Sequence, residues 1–317
     1  MKNRKKLKIG WVGSGFVGQV AHLNNYASLN DVEISGIAEL REDLGKKIRS
    51  KYNIKEYYKN HKELIESDNF DGIVAIVRRH HTATIAYDIL KSNNNLFTEK
   101  PMAQNYLQSK NLVNIAKKNN LKYVIGNMRR HDENVQFALK KFNEYIQNKQ
   151  LGELLHFRCH CFAGGDYCNI DNFIQTNEPA PNNLILSVAP DWLPKRKHKE
   201  FEKFLTYFTH DFNLINLFFR DKYKITNTLI QKNSGCISFD YGNYSGTFNF
   251  AYLNQNRWDE GIEIYFSKGR IKIDLPPAFL RNQSAKVEIY SESNKNKYII
   301  PKADWTWSFK NQAIAFC

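Results

Sequence analysis

The sequence lacks the features that mark secreted and membrane-spanning proteins. Its five cysteines among 317 residues form an odd set without a repeated C-x-x-C, which argues against a disulfide framework and is typical of a reducing cytoplasm. No apolar run approaches the roughly 18 residues that a bilayer span needs. The basic first residues lead directly into an apolar run at Leu7, without the apolar region and cleavage site of a signal peptide. We therefore expect a cytoplasmic protein without a membrane partner.

A nucleic-acid-binding signature is also missing, although the formal net charge is +14. A basic chain makes nucleic acid a partner to consider, but the basic residues are scattered among asparagines and acids. The sequence contains no helix-turn-helix, zinc-finger or aromatic RNA-binding motif. A lysine-rich solvated surface explains the charge, as does a surface that attracts anionic metabolites. We expect no nucleic-acid partner.

The most informative stretch is a glycine loop between a strand-like and a helix-like run. It consists of Gly13, Ser14, Gly15, Phe16, Val17 and Gly18. The loop fits G-x-G-x-x-G after a strand. Gly13 allows a tight turn, Gly15 lets the backbone approach a pyrophosphate, and Gly18 lets the helix pack closely on the strand. The alternative is a purely structural glycine turn.

An acidic residue follows the next strand-like run. Residues 32–38 form a second apolar run that ends just before Glu39, about 20 residues beyond the loop, where an acid reaches the ribose hydroxyls. Glu39 should accept hydrogen bonds from the adenosine ribose and repel a 2′-phosphate, whereas Arg41 could accommodate that phosphate. The sequence therefore predicts a nicotinamide dinucleotide site for NAD, with NADP as the alternative.

The first half of the chain alternates strand-like and helix-like segments, which predicts a doubly wound parallel sheet. Asn105, with Gln108 three residues on, fits a helix capping box. The predicted strands are 6–12, 33–38, 72–77, 95–98 and 123–126, and the predicted helices are 17–29, 43–52, 61–67, 82–92 and 105–119. Ligands of such sheets bind beyond the carboxyl ends of the strands. We expect functional residues in the segments 13–18, 39–41, 77–81, 99–101 and 127–131.

The pattern changes after a helix predicted at 132–147. From Leu154 onward, β-branched and aromatic residues alternate between turn signals, which is typical of hairpins. These turns are expected at 233–235, 241–244 and 268–269, a helix at 207–219 and a loop at 175–200. The fold class is thus α/β, with a Rossmann domain over residues 1–130 and an α+β domain over 131–317. We expect an open, mostly antiparallel sheet in the second domain. Residues 307–317 resemble a helix beginning without a stop signal, so we expect a truncated C-terminal end.

A lysine marks a second candidate site. Glu99-Lys100-Pro101 ends a strand-like run, at the sheet edge where a nicotinamide ring should lie. An ammonium group there can polarise a hydroxyl or carbonyl and stabilise a developing alkoxide. As a bare tripeptide, however, this pattern carries little information about function.

Together these features resemble the Gfo/Idh/MocA family, named after glucose–fructose oxidoreductase, inositol dehydrogenase and a rhizopine-catabolism protein. The resemblance runs from about residue 6 to the last residue. The glycine loop matches the family's phosphate loop, Glu39 its ribose-binding acid and Glu99-Lys100-Pro101 its central motif. Residues 77–81 take the place of its Thr-Pro-Asn-x-x-His loop, with His81 as the histidine. Leu151-Gly152-Glu153-Leu154 resembles its entry into the second domain, and His210-Asp211 the pair on its active-site helix.

The resemblance implies an oxidoreductase. Family members mostly oxidise or reduce one hydroxyl carbon of a sugar, inositol or nucleotide sugar with NAD or NADP. By analogy with the family, the resemblance also implies a homo-oligomer. Lys100 and His210 are the implied catalytic residues, and an unperturbed imidazole titrates near the pH that a general base requires. The implied cofactor-binding set is Gly13, Ser14, Gly15, Phe16, Val17, Gly18, Glu39, Arg41, Val77, Arg78, His81, Glu99 and Lys100. The candidate substrate-binding set is Arg130, Asp166, Tyr167, Thr206 and Tyr207.

Two positions depart from the family pattern. Many members carry an aspartate four residues before the histidine, one helical turn away on the same face, where this chain has Thr206. The acid often found three residues after the histidine is Asn213 here. Asp166, Asp191 and Asp211 are alternative proton acceptors. A non-catalytic dinucleotide-binding or regulatory protein of the same fold therefore stays open as the second hypothesis.

A cysteine–histidine cluster raises the question of a metal site. Cys159 and Cys161 should share one face of a strand while His160 points to the other. No second C-x-x-C completes a tetrahedral zinc site. We therefore expect no metal.

The role of His210 has an alternative. Its predicted helix, 207–219, is rich in aromatic residues, so His210 could instead be a core residue.

Overall fold

The computed structural model describes residues 5–67, 69–165, 168–171, 173–179, 189–292, 297–304 and 307–317. These residues divide into two compact units. The first unit draws on residues 1–127, 171–209 and 309–317, and the second on 128–170 and 210–308. The domain division predicted at residue 130 stays a prediction, although two segments assigned to its second domain group with the first unit.

The strands and helices are numbered in chain order. The strands are β1 Leu7–Val12, β2 Val32–Ala38, β3 Glu56–Tyr58, β4 Gly72–Ala75, β5 Leu96–Glu99, β6 Tyr123–Gly126, β7 Leu154–Ala163, β8 Lys224–Ile230, β9 Ser234–Asp240, β10 Ser245–Tyr252, β11 Asp259–Phe266, β12 Gly269–Leu275, β13 Lys286–Ser291 and β14 Lys297–Ile299. The α-helices are α1 Asn24–Ala27, α2 Glu42–Lys51, α3 His61–Ser67, α4 Arg79–Lys91, α5 Tyr106–Lys118, α6 Glu133–Asn148, α7 His198–Phe218 and α8 Ser308–Phe316. A π-helical stretch, Gly18–Leu23, precedes α1, and 3₁₀ turns lie at Met128–His131 and Lys195–Lys197.

The first unit is built on a parallel sheet. Within the described residues its six strands follow the order β3-β2-β1-β4-β5-β6, and every pair is parallel. This is the strand order of dinucleotide-binding folds, in which the crevice lies at the carboxyl ends of the strands. The predicted doubly wound parallel sheet is confirmed.

Apolar residues cover both faces of this sheet. Along β4, Ile73 and Ala75 join one buried cluster, whereas Val74 joins the cluster on the other face. Successive side chains of a strand point to opposite faces, so a strand buried on both sides reads as a continuous apolar run. That is why residues 72–77 are recognisable as a strand.

The second unit contains a mostly antiparallel sheet, as predicted. Its eight strands, counted within the described part of the chain, follow the order β14-β13-β12-β11-β7-β10-β9-β8, and β7 with β10 is the parallel pair. Along β7, Cys159 and Cys161 are buried, whereas Arg158 is exposed and His160 half-buried. One face therefore packs on a core and the other carries polar groups.

Several predicted boundaries were wrong. Strand β3 was missed because three residues with partly exposed side chains show no apolar alternation. Helix α7 begins at His198, nine residues before the predicted start, so the predicted loop 175–200 ends in helix. Helix α4 begins at Arg79 instead of residue 82. The N-cap half of the predicted capping box is confirmed, since the side chain of Asn105 accepts a hydrogen bond from the Gln108 amide at 2.8 Å.

Candidate active site

The glycine loop of the first unit contains two glycines with different roles. Gly13 has φ +85°, and a Cβ there would lie 2.5 Å from the carbonyl oxygen of Ile76. The fold itself therefore requires glycine at this turn. A Cβ on Gly15 would meet no heavy atom within 4 Å. Open space above a glycine that the fold does not need is what a close-approaching ligand requires.

This loop forms one wall of a cleft of about 390 Å³, here called the dinucleotide cleft. The structure brings these predicted cofactor-binding residues together around it: Gly13, Ser14, Gly15, Phe16, Val17, Gly18, Glu39, Arg41, Val77, Arg78 and His81. Glu99 and Lys100 of the predicted set do not line it. The lining residues that the sequence analysis missed are Val12, Ala38, Asn60, His61, Ile76 and Ile85, whereas Leu40 lies in the predicted segment 39–41 without having been named as a cofactor-binding residue. Asn60 and His61 follow β3, so recognising that strand would have pointed to them.

Glu39 is tied to its neighbours rather than free. The carboxylate is 5% exposed and accepts hydrogen bonds from the Ser14 amide at 2.7 Å and the Arg41 amide at 3.1 Å. The Arg41 guanidinium binds it in a fork, with Nε at 2.9 Å and Nη2 at 3.1 Å. Bidentate, charge-assisted pairs of this kind hold both partners in place. The Glu39 carboxylate, which is expected to bind the adenosine ribose, is therefore paired with the guanidinium of Arg41.

The cleft fits a dinucleotide. The Ser14 hydroxyl oxygen is buried and has no hydrogen-bond partner among the described residues. Buried polar atoms are normally paired, so a ligand group would complete this one. The helix that starts at residue 16 points its first N–H groups and its positive dipole end toward the loop, where they suit a pyrophosphate.

A short segment of the same unit, residues 173–179, crosses the glycine loop. The Phe173 ring packs edge-on against Phe16, with centroids 5.0 Å apart. Ile174 exchanges backbone hydrogen bonds with the Gln19 side chain at 2.7 and 2.9 Å, and Gln19 also donates to the carbonyl of Ser14 at 2.8 Å. The segment therefore braces the loop through Gln19, a contact that spans 155 positions of sequence.

Further along this segment, Glu178 caps the start of α2. Its carboxylate oxygens accept hydrogen bonds from the amides of Asp43 at 2.9 Å and Leu44 at 3.0 Å. Desolvation alone would raise the pKa of Glu178, but these amides, the Thr176 hydroxyl and the charge of Arg41 outweigh it and lower the pKa. A carboxylate thus occupies the helix end beside the Glu39–Arg41 pair.

Lys100 is held by α7 within the first unit. Its Nζ donates to the backbone carbonyl of Thr206 at 2.7 Å. Glu99 is buried, and its carboxylate pairs with Nε2 of His22 at 2.8 Å and accepts the Lys100 amide at 3.0 Å. The peptide bond between Lys100 and Pro101 is cis. The buried Glu99–His22 pair thus anchors the backbone from which the Lys100 side chain extends.

The hydroxyl of Thr206 is engaged as well. It donates to the backbone carbonyl of Glu202 at 2.7 Å and accepts from Nη1 of Arg79 at 2.7 Å. The carboxylate oxygens of Glu202 lie 3.6 Å from Nη2 of Arg79 and 3.7 Å from Nδ1 of His80. Arg79 was not a predicted site residue, although it lies in the segment 77–81 that was expected to be functional. Two cations, Lys100 and Arg79, therefore meet at one threonine.

The remaining candidates lie in the second unit or on α7. Arg130 is half-buried, and burial together with the charge of Arg220 lowers its pKa. Burial and, to a lesser extent, Arg130 lower the pKa of His131 to about 4. His210 is half-buried on α7, as is Tyr207. The predicted substrate residues Asp166 and Tyr167 lie outside the described residues.

No cluster of three or more potential metal-ligating side chains occurs within the described ranges. Cys159 and Cys161 lie on the buried face of β7, and burial raises the pKa of both thiols. His160 lies on the opposite face, 3.0 Å from the carboxylate of Asp259. The predicted split of this cluster between two faces is confirmed. In that same part of the chain, no helix has the length and apolar character needed to cross a membrane.

Comparison with known proteins agrees with the geometry of the first unit. The model of the Gfo/Idh/MocA family, an oxidoreductase family with an NAD-binding Rossmann fold, matches residues 7–127. This match covers the six strands of the parallel sheet, β1 to β6. A curated relative, the myo-inositol 2-dehydrogenase of Thermotoga maritima, is 26% identical over 147 residues, which make up 46% of this chain and 42% of the relative. The chain thus matches less than half the length of this relative.

Solved structures resemble the chain over most of its length. A levoglucosan dehydrogenase in complex with NADH and levoglucosan has a TM-score of 0.74 at 16% identity, covering 98% of this chain and 89% of the other. KijD10, a 3-ketoreductase from Actinomadura kijaniata in complex with TDP-benzene and NADP, has a TM-score of 0.72 at 14% identity, covering 98% and 88%. Likenesses at these identities show the fold alone.

Proposed function

We propose that this protein is an NAD(P)-dependent oxidoreductase that transfers a hydride between nicotinamide and a secondary hydroxyl or keto carbon of a sugar or nucleotide sugar. The observation that carries the proposal is the dinucleotide cleft, in which open space at Gly15, the orphan hydroxyl of Ser14 and the Glu39–Arg41 pair converge. The names of the relatives, inositol and levoglucosan dehydrogenases and a 3-ketoreductase, support the substrate class. We also propose a cytoplasmic homo-oligomer.

In this proposal the chain's own residues bind the cofactor and manage the proton. When bound, the dinucleotide accepts or supplies the hydride. The glycine loop and the helix start after it hold the pyrophosphate, while Glu39 and Arg41 face the adenosine ribose. The Lys100 ammonium, held at the Thr206 carbonyl, stabilises an alkoxide on the substrate. His210 takes the hydroxyl proton during oxidation and returns it during reduction.

A second candidate function is a dinucleotide-binding protein without turnover. The observation that favours it is the threonine at position 206, where many members of the family that the chain resembles have an aspartate. Its hydroxyl is occupied by Glu202 and Arg79 and cannot act as a base. The two hypotheses share the cofactor site and differ only in whether the bound dinucleotide reacts.

Nicotinamide fluorescence separates these hypotheses. NADH should bind with a change of emission, and this emission should decay on addition of one member of a panel of keto sugars and nucleotide keto sugars. The Gly15→Val variant, which fills the open space at the loop, is the matched control and should bind NADH at least about tenfold more weakly. Binding without turnover of any panel member would support the second candidate. Absence of binding in the parent would overturn both.

A further inference from the structure

A second cavity of the first unit gathers three exposed apolar side chains. Trp192 is 77% exposed, and Tyr106 and Leu107 are each 72% exposed, the highest values among the large apolar residues described. All three line one cavity of about 520 Å³, here called the aromatic cavity. Single exposed apolar groups are ordinary, but groups that converge on a concave surface mark a binding site. None of its lining residues lines the dinucleotide cleft.

Regular structure presents the rim of this cavity. Tyr106 and Leu107 are the first two residues of α5, a helix of 13 residues whose start is capped by Asn105. Trp192 lies in a turn closed by a hydrogen bond from the Leu193 amide to the Pro190 carbonyl at 2.9 Å. Because both edges are held by backbone hydrogen bonds, the rings are exposed in defined positions rather than on free ends.

The cavity also contains a buried hydrogen-bond acceptor without a donor among the described residues. Gln104 is 2% exposed, and its Nε2 lies 2.8 Å from Nδ1 of His80. Its Oε1 is buried and has no partner among the residues that the structure describes. A buried amide oxygen without a donor is unfavourable, so a ligand that brings a donor would be stabilised there. Asp191 adds a carboxylate to the same lining.

These groups select for the chemistry of the occupant. Acceptors at Gln104 and Asp191 require a ligand rich in hydroxyl donors, and the Trp192 ring requires an apolar face that stacks on it. The carboxylate of Asp191 repels phosphates and carboxylates. A cationic ligand is disfavoured because the Lys110 ammonium already lies 5.8 Å from the centroid of the Tyr106 ring.

We propose that the aromatic cavity binds a neutral sugar residue. A pyranose ring combines an edge of hydroxyl donors with a face of C–H groups, and so matches both the acceptors of Gln104 and Asp191 and the exposed indole of Trp192. The site is separate from the dinucleotide cleft, and the proposal does not rest on the proposed oxidoreductase activity.

Binding to the full chain, in the absence of dinucleotide, tests this proposal. The probes are methyl α-D-glucopyranoside, methyl α-D-galactopyranoside and methyl α-D-mannopyranoside, observed by saturation-transfer NMR and calorimetric titration. At least one glycoside should bind saturably. Trp192→Ala should weaken that binding at least tenfold, and Gln104→Leu, which keeps the size and removes the acceptor, should weaken it severalfold. Ile300→Ala, which removes an equally exposed apolar group outside the cavity, should leave it unchanged.

Further variants distinguish this cavity from the proposed site of hydride transfer beside Lys100. Lys100→Met should not alter glycoside affinity at the aromatic cavity, whereas it would change the affinity of a sugar held beside Lys100. Thermal unfolding of each variant shows whether it is folded. If Gln104→Leu does not fold, Trp192→Ala alone provides the test. The proposal is overturned if no glycoside binds saturably, if Trp192→Ala binds as the parent does, or if choline or glucose 6-phosphate binds more tightly than every glycoside.

Discussion

The two units use their sheets in different ways. In the first unit, parallel strands end at one edge, and the residues after β1, β2 and β4 line a single cleft. In the second unit, antiparallel strands expose one face, on which charged side chains pair across strands. Arg158 lies 2.9 Å from Glu263, and Arg270 lies 2.6 Å from Glu288. The residues of the candidate site therefore lie at strand ends in the first unit, whereas the polar groups of the second unit are distributed over one face of its sheet.

This difference has consequences for substitutions. Partly exposed ion pairs such as Arg270–Glu288 contribute about 0–1 kcal/mol each, so we expect the polar face of the second sheet to tolerate single changes. A Cβ on Gly15 would meet no heavy atom within 4 Å, and the Ser14 hydroxyl has no partner among the described residues, so substitutions there should impair cofactor binding more than stability. Substitutions in both units can test that contrast, from the largest expected effect to the smallest.

The largest effect should come from the two proposed proton-handling residues. Lys100→Met and His210→Asn should each lower turnover about 10²–10⁴-fold, or 3–5 kcal/mol of barrier, with cofactor affinity nearly unchanged. Residues that act as a unit do not contribute additively, so the double variant should be little worse than the poorer single one. Steady-state rates with an identified sugar measure this. Lys91→Met on α4 is the control, and a His210→Asn rate within about threefold of the parent would remove that histidine from the mechanism.

The two glycines of the loop should separate stability from binding. Gly13→Ala places a side chain at φ +85° and 2.5 Å from a carbonyl oxygen, so it should destabilise the protein by at least about 1–2 kcal/mol. Gly15→Val should leave unfolding unchanged and weaken cofactor binding tenfold or more, about 1.4 kcal/mol. Denaturant unfolding and nicotinamide fluorescence measure the two effects. Unchanged binding in a folded Gly15→Val variant would mean that the loop is only a structural turn.

The second unit should lose stability in acid through His131. Burial lowers the pKa of this imidazole to about 4, whereas the unfolded chain takes up the proton near 6.5. The stability that the neutral ring contributes is therefore lost as pH falls from about 6.5 to about 4. Because the ring is partly exposed, we expect His131→Asn to remove about 1–2 kcal/mol of that loss. Unfolding curves at intervals of pH would show a parent-like acid dependence in the variant if the prediction is wrong.

The smallest effect should concern the choice of dinucleotide. The parent should bind NADH more tightly than NADPH, because the 2′-phosphate meets the Glu39 carboxylate. Arg41→Ala removes the fork on that carboxylate and should widen the preference severalfold, whereas Glu39→Ala should narrow it. Fluorescence titrations with both nucleotides measure the ratio. Tighter binding of NADPH by the parent contradicts the prediction.

The fold of the first unit was predictable because each signal is local. The turn at Gly13 needs a residue without Cβ, β4 needs an apolar run because both its faces are buried, and Asn105 caps α5 through its own backbone neighbour Gln108. The short strand β3 was missed because its own local signal is weak. Three residues paired to β2 at the sheet edge carry too few side chains to show a period, and Asn60 and His61 were missed with them.

Sequence alone determined the glycine loop, the acid at the end of the second strand and the change from parallel to antiparallel sheet. Each depends on conformational limits or side-chain periods within a few residues. Only the tertiary structure decided that Lys100 donates to Thr206, 106 positions away, and that residues 173–179 brace the loop through Gln19. It also brought Trp192 to the cavity beside Tyr106. Contacts between distant segments depend on how the elements pack, and no local pattern encodes which side chains then meet.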